Sequence, residues 1–223
     1  FRHQQFNGYK AKRPKADEEL SRQIPRVKEF LKEFGVAIFE KEGFEADDLI
    51  GTIAKLASRK QILPQIETII LSGDLDNLQL INKKTKVYTL RKGLGEAMIY
   101  DEGKVKERYG GLEPNRLVDF RALKGDPSDN IPGILGIGEK TAIPLIAEFG
   151  SIENLYRELA EETERTKKMK PALRRNLLDN KESAFLSRAL SEIDQNVPID
   201  FDLEICHWGN YDKEKIINFF KEM

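Results

Sequence analysis

The sequence predicts an α/β fold whose second half is helical. An amphipathic helical pattern over residues 45–60 is followed by an apolar run at 66–71, and this alternation of helix and strand is typical of an α/β layer. After about Gly110 the pattern changes to short helical segments broken by glycine and proline. We therefore divide the chain into an α/β part at residues 1–112 and a helical part at 113–223.

The remaining elements follow the chain in order. Residues 16–34 predict an amphipathic helix that ends at Gly35, and residues 36–40 predict a short strand. The nearly continuous apolar run at 66–71 is typical of a buried parallel strand. Residues 86–90 and 96–100 flank a glycine-bearing turn at 93–95 and predict a hairpin at the sheet edge. Residues 212–223 predict a terminal helix.

Composition limits the classes of function. The 223 residues include 37 basic and 38 acidic side chains, so any charge that binds a partner has to be local. A single cysteine, Cys206, cannot form an internal disulfide and favours the reducing cytoplasm. No apolar run reaches the roughly 18 residues of a membrane span, so we expect no membrane partner.

Acidic residues gather at three places in the chain. They are Glu45, Asp47 and Asp48 at a helix start, Asp74 and Asp76 directly after the apolar strand, and Asp126 and Asp129 in a loop. One interpretation is that each group has only a local structural role, since acidic residues complement helix dipoles and stabilise turns. The other is a shared site, which needs cations because carboxylates within ~5 Å repel by about 3 kcal/mol per pair. All-oxygen ligands favour Mg²⁺ or Mn²⁺, and clustered acids should have raised pKa values.

The glycine-rich turn GILGIGEKTA leads into a predicted helix and offers free amides to an anion. Glu139 stands where a phosphate loop needs lysine, and Thr141 stands where a dinucleotide fingerprint needs glycine. A plain turn between helices remains one interpretation. The other is a helix-hairpin-helix turn, in which Gly136 and Gly138 bring backbone close to a nucleic-acid phosphate and Lys140 adds charge.

Five motifs in this order resemble the 5′ nuclease family over essentially the whole chain: FRHQQFNGYKAKR, GFEADD, SGDLDNLQL, DFRALKGDPSDNIPGILGIGEKTA and the helical tail. Within the family, the resemblance is closest to the 5′ to 3′ exonuclease domain of bacterial DNA polymerase I. It implies a PIN-like, Rossmann-like catalytic core at 1–112 and a helix-hairpin-helix DNA-binding subdomain at 113–223. The implied activity is hydrolysis of DNA with a 5′ end or 5′ flap in replication and repair.

The resemblance also assigns site residues. Its metal-ligand positions correspond to Glu45, Asp47, Asp48, Asp74, Asp76, Asp126 and Asp129. Its residues near the scissile phosphate correspond to Tyr9, Lys10 and Arg13, and those of its DNA-binding hairpin to Gly136, Gly138, Lys140 and Thr141. Arg2 belongs to the basic segment 1–15, which we expect to face DNA. Two Mg²⁺ or Mn²⁺ ions are implied, with a monovalent cation at the hairpin turn.

One departure from the family lies at the start of the chain. The family normally has a longer N-terminal segment, with two strands that each supply a metal-binding aspartate. We therefore expect this chain to bind branched DNA and to cleave it poorly. The resemblance also implies a monomer that is continuous with a polymerase domain. The alternatives are a catalytically incomplete DNA-binding fragment and a free-standing exonuclease. A phosphatase of the aspartyl-phosphate type, suggested by Asp74 and Asp76, leaves the basic segment and the hairpin without a role.

Overall fold

The computed structural model describes residues 1–14, 17–59, 66–91, 96–209 and 211–222. It confirms the predicted fold class, because a three-stranded sheet in the first half is followed by helices. No helix in these ranges is long and apolar enough to cross a membrane. The division at residue 112 stays a prediction, and one hydrophobic core continues from the sheet into the later helices.

The elements have the following bounds. The first half contains α1 (Arg2–Gln5), α2 (Glu18–Glu33), α3 (Ala46–Arg59), β1 (Thr68–Leu71), β2 (Thr85–Arg91), β3 (Glu96–Tyr100) and α4 (Glu102–Arg108). The second half contains α5 (Leu117–Lys124), α6 (Glu139–Phe149), α7 (Ile152–Glu161), α8 (Glu164–Lys167), α9 (Pro171–Asp179), α10 (Lys181–Ser191) and α11 (Lys213–Glu222). Short 3₁₀ helices lie at Leu75–Leu80, Pro114–Arg116 and Glu204–Cys206.

The sheet has the strand order β1–β2–β3. β1 runs parallel to β2, with Ile70 opposite Val87, and β2 runs antiparallel to β3, with Val87 opposite Tyr100. All three of these side chains are buried in the main core. The predicted parallel strand and the hairpin pairing are therefore confirmed, while the turn at 93–95 lies outside the described residues.

Two expectations about strands are wrong. β1 is buried on one face only, since Ile69 and Leu71 flank buried Ile70 and are 56% and 63% exposed. Successive side chains of a strand point to opposite faces, so one face of β1 is left in solvent. Residues 36–40 form no strand, because they pair with none of the described strands, and Phe39 instead packs against Phe201.

The predicted first helix is observed as α2, and residue 16 lies outside the described residues. Near its C-terminal end, the Phe30 ring lies 5.5 Å from that of Phe220 in α11, which confirms the predicted terminal helix. The apolar side chains in the N-terminal turns of α2 are more exposed than their helical spacing predicts. About half of each side chain is exposed at Leu20, Ile24 and Val27.

A buried ion pair attaches the N-terminal segment to the rest of the fold. The two terminal nitrogens of Arg2 donate to the two carboxylate oxygens of Asp48 at 2.8 and 2.7 Å. The same guanidinium donates to the carbonyls of Leu190 and Glu192 at 3.0 and 2.6 Å. The pair therefore joins α1 to the first turn of α3 and to the end of α10.

Asp48 is fully buried and is nevertheless stabilised as an anion. Besides Arg2, the backbone amides of Glu45 and Asp194 donate to its oxygens at 3.0 and 2.9 Å. Burial by itself raises the pKa of a carboxyl, but these hydrogen bonds outweigh burial and hold the pKa of Asp48 below its ordinary value of 3.8.

We expect Asp48→Asn to lower the free energy of unfolding by about 3 to 5 kcal/mol, because Arg2 is then buried without its counter-ion. Denaturant unfolding at pH 7 measures this change. In the wild type, the ionised Asp48 should contribute fully to the free energy of unfolding above about pH 4. This contribution should be lost as the pH falls further, since the pKa of Asp48 is lower in the folded than in the unfolded chain.

Glu18→Gln is the matched control, since it removes the exposed partner of Arg22 and should leave stability unchanged. An Asp48→Asn variant as stable as the wild type would contradict a stabilising role for the buried pair.

Candidate active site

The acidic residues lie on three elements. Asp47 lies in the first turn of α3, and Asp126 closely follows α5. Asp74 caps the 3₁₀ helix after β1 by accepting a hydrogen bond at 2.9 Å from the amide of Asp76. The carboxyl end of a parallel strand is where α/β sheets bind their ligands, so Asp74 and Asp76 stand at the expected edge.

Asn77 links the first acidic group to the second. Its amide nitrogen donates to Asp47 Oδ1 at 2.9 Å and to Ser72 Oγ at 3.2 Å. Ser72 Oγ also accepts a hydrogen bond from the amide of Asp74 at 3.0 Å. Asn77 is fully buried, whereas Asp47 and Ser72 are partly exposed. The start of α3 is therefore held against the loop that carries Asp74.

Arg121 links the second acidic group to the third. Its guanidinium forms an ion pair with Asp76 and a second one, at 3.1 Å, with Asp126. Ser128 fixes the other oxygen of Asp126, because its amide and hydroxyl donate to Oδ1 at 2.9 and 2.6 Å. Two acids from different elements thus share one cation.

The basic segment supplies further cations to the acids. Lys10 Nζ lies 2.6 Å from Glu45 Oε2 and 3.8 Å from Asp129 Oδ2, and Arg13 forms an ion pair with Asp129. Lys10 has the left-handed φ of 54°, and its backbone amide donates to the Asp129 carbonyl at 2.9 Å. Tyr9 donates its hydroxyl to Glu45 at 3.1 Å. The segment is therefore bound to both outer acidic groups.

The pKa values reflect this mixture of charges. Burial raises the pKa of Asp76 to about 7 although Arg121 works against the rise, and burial also raises the pKa of Asp47. Nearby Asp74 adds to both increases. Burial acts in the same direction on Asp126, but hydrogen bonds from Ser128 and the charge of Arg121 outweigh it and lower its pKa. The expected rise is therefore confirmed at Asp47 and Asp76 and is wrong at Asp48 and Asp126.

The acids do not form the single pocket that the sequence predicted. Among the described residues, no three side chains of the types that bind metals come close enough together to hold an ion. Lys10, Arg13 and Arg121 draw the carboxylates towards separate cations. The donor chemistry still fits a divalent ion, because carboxylate oxygens are its preferred ligands and Asp74 adds negative charge near both Asp47 and Asp76.

Three predicted site residues have other roles. Four N–H donors occupy both oxygens of Asp48, so this carboxylate has no lone pair left for a metal. Arg2 is 5% exposed, and its guanidinium donates hydrogen bonds to Asp48 and to two backbone carbonyls, so it does not face DNA. Tyr9 is 3% exposed, and burial raises the pKa of its hydroxyl, which donates a hydrogen bond to Glu45.

The glycine-rich turn presents backbone at the surface. Gly136 has the left-handed φ of 83°, and Gly138 precedes α6 without a side-chain cap, which leaves the first amides of the helix free. Lys140 and Thr141 lie in the first turn of α6, with Lys140 exposed. These four residues are therefore brought together, and Gly136, Lys140 and Thr141 line an open groove with Lys170. Their contact with DNA stays a prediction.

A close backbone crossing holds this hairpin beside the acidic loop. A Cβ on Gly133 would lie 2.3 Å from the nitrogen of Gly125, and both residues have a positive φ, so only glycine is accommodated. Ser187 Oγ accepts a hydrogen bond from the Gly133 amide at 2.9 Å. The two ends of the loop that carries Asp126 and Asp129, Gly125 and Gly133, are therefore in contact directly before the hairpin.

Sequence reasoning missed Asn77 and Arg121. Asn77 lies between Leu75 and Leu80 in a 3₁₀ helix that also contains the polar residues Asp76 and Gln79, so no sequence pattern distinguishes it. Arg121 lies one helical turn before the acidic loop, but its spacing from Asp76 reveals nothing, because the two meet only through the tertiary fold.

Known proteins identify the family. The model of the 5′-3′ exonuclease N-terminal resolvase-like domain matches residues 1–110, and that of the 5′-3′ exonuclease C-terminal SAM fold matches residues 112–214. DNA polymerase I of Chloroflexus aurantiacus is 39% identical over 225 residues, and that of Bacillus subtilis is 39% identical over 223. Both alignments cover 100% of this chain but only 23% and 24% of the relatives. The chain thus spans about a quarter of the length of the curated relatives it matches.

Solved structures share the fold. T5 5′-exonuclease with bound zinc ions matches with a TM-score of 0.68 at 22% identity, over 100% of this chain and 78% of that one. The catalytic core of Rad2 in complex with DNA substrate matches with a TM-score of 0.61 at 21% identity, over 99% and 70%. They agree with the predicted PIN-like core and helical second domain. The two family models together cover nearly every residue, and the chain belongs to the 5′–3′ exonuclease family.

Proposed function

We propose that the chain is a divalent-metal-dependent 5′ to 3′ exonuclease and 5′-flap endonuclease that acts on DNA in primer removal, flap removal and repair. One observation carries this proposal: the basic side chains of Lys10 and Arg13 lie directly against Glu45 and Asp129, which belong to the first and third acidic groups. Phosphodiester hydrolysis needs both, since cations bind the phosphate and acids bind the metal. Family membership supports the reaction class, and the relatives' names support a polymerase continuous with this chain.

We propose that carboxylate side chains of the three acidic groups are the metal ligands. Asp47, Asp74 and Asp76 would hold one Mg²⁺ or Mn²⁺ ion, with Glu45 next to them, and the Asp126 and Asp129 loop would hold a second. When bound, such ions activate water and stabilise the charge that develops on the scissile phosphate. A monovalent cation at the hairpin turn is proposed as well.

The chain's own cations explain how acids and phosphate would be brought together. Lys10 and Arg13 neutralise Glu45 and Asp129 in the absence of substrate. A DNA phosphate competes for the same two cations, so its arrival would draw them from the carboxylates and free oxygens for metal. Tyr9 keeps its bond to Glu45 and would hold that side chain in place during the exchange.

The hairpin would hold duplex DNA. Gly136 and Gly138 expose backbone amides for a phosphate, Lys140 adds a positive charge, and Thr141 offers a hydroxyl. Since the acidic loop ends where the hairpin begins, duplex bound there would place its single-stranded junction towards Lys10. We propose that the protein acts as a monomer in the bacterial cytoplasm, where its substrate lies.

Incubation of the chain with a labelled 5′-flap DNA, in Mg²⁺ and in Ca²⁺, tests the proposal, with blunt duplex as a control substrate. We expect slow Mg²⁺-dependent cleavage near the flap junction. A second candidate is a DNA-binding fragment without catalysis, which the absence of a preassembled metal group among the described residues favours. Flap binding in Ca²⁺ without cleavage in Mg²⁺ would support that candidate, and failure to bind would contradict both.

Asp74→Asn should reduce flap cleavage by about 100-fold or more, because loss of a metal ligand removes several kcal/mol of transition-state stabilisation. Asparagine keeps an oxygen that can cap the 3₁₀ helix, so folding and flap affinity in Ca²⁺ should not change. Single-turnover cleavage and fluorescence anisotropy measure the two effects. Asp179→Asn, at the exposed partner of Arg175, is the control. Equal loss of activity in both variants would exclude a specific role for Asp74.

Lys140→Ala should weaken flap binding and reduce the slope of log affinity against log salt by about 0.9, the value for one phosphate contact. Anisotropy titrations in Ca²⁺ over a series of KCl concentrations measure this slope. Lys83→Ala is the control, because Lys83 is an exposed lysine in the turn before β2, away from the hairpin. The same slope in wild type and Lys140→Ala would rule out the proposed phosphate contact.

A further inference from the structure

Asn77 is an unusual residue at its position. It is fully buried, and it stands in the 3₁₀ helix next to Leu78, which is fully buried in the main core. Its side-chain oxygen is buried without a hydrogen-bond partner. An unpaired buried oxygen lowers stability, and an apolar residue of similar size would avoid that loss. The position is therefore not optimised for stability alone.

The orientation of the Asn77 amide follows from its neighbours. Its nitrogen faces three acceptors: Asp47 Oδ1 at 2.9 Å, Ser72 Oγ at 3.2 Å and the Asp74 carbonyl at 3.5 Å. Exchanging nitrogen and oxygen would set the amide oxygen against a carboxylate oxygen, which is repulsive. The amide nitrogen of Asn77 therefore points at the acids, and this orientation leaves its side-chain oxygen without a partner.

One amide thus fixes two acidic residues from different elements. The hydrogen bond to Oδ1 restrains the Asp47 carboxylate at the start of α3, and Ser72 passes the restraint to the backbone of Asp74. We infer that Asn77 is a positioning residue that holds Asp47 and Asp74 in register for a shared divalent cation. The inference rests on the proposed metal-dependent function and adds to it a side chain that acts through the ligands.

The test measures metal affinity and stability separately. Asn77→Leu and Asn77→Met both remove the amide and fill its space. Asn82→Leu repeats the change at an exposed asparagine whose side chain bonds to the Leu80 carbonyl and the Lys84 amide. Mn²⁺ binding to the metal-free chain is followed by the electron paramagnetic resonance signal of the free ion, and thermal unfolding is followed in EDTA. Both Asn77 variants should bind Mn²⁺ about 10- to 100-fold more weakly, as is typical for a lost partner of a metal ligand.

The stability readout separates positioning from a structural role. The melting temperature in EDTA should equal or exceed that of the wild type, because the unpaired oxygen is gone and water can replace the amide at partly exposed Asp47. Asn82→Leu should leave the Mn²⁺ affinity unchanged. Unchanged Mn²⁺ affinity in an Asn77 variant that folds would overturn the inference, and so would a lower melting temperature or failure to fold in both variants. A wild-type chain that binds no Mn²⁺ would overturn the proposed metal-dependent function itself.

Discussion

The buried ion pair between Arg2 and Asp48 is the constraint on which the site depends. It fixes α1 to the first turn of α3 and to the end of α10, because guanidinium and carboxylate are both fully engaged. The amide of Glu45 is bound to the same carboxylate. The first acidic group and the basic segment that follows α1 therefore share one anchor, which helps to hold Lys10 against Glu45.

Basic side chains from neighbouring elements neutralise most of the acidic groups. Each acidic group is matched by a cation from another element: Lys10 for Glu45, Arg13 for Asp129, and Arg121 for Asp76 and Asp126. Asp47 forms no ion pair with any described residue, and burial raises its pKa although Asn77 donates to it. Positive and negative side chains therefore alternate across the site, and we propose that a DNA phosphate competes with the carboxylates for these cations.

The parts of this arrangement that depend on local sequence could be predicted. Asp74 and Asp76 follow an apolar strand, and the glycine-rich turn precedes a helix, so their places followed from pattern alone. Asp48 could not be distinguished from Asp47, because its partner Arg2 is 46 residues away and looked like an exposed base. Exposure of Ile69 and Leu71 was equally unpredictable, since periodicity identifies a strand but not what covers each face.

Amide hydrogen exchange at Lys10 tests most directly whether the buried pair holds the basic segment over the acids. This amide donates to the Asp129 carbonyl, while the amide of Leu155 reports on the helical core. In Asp48→Asn, exchange at Lys10 should become faster relative to Leu155, because the segment loses its anchor while the core remains folded. Equal protection of Lys10 in wild type and variant would contradict the account.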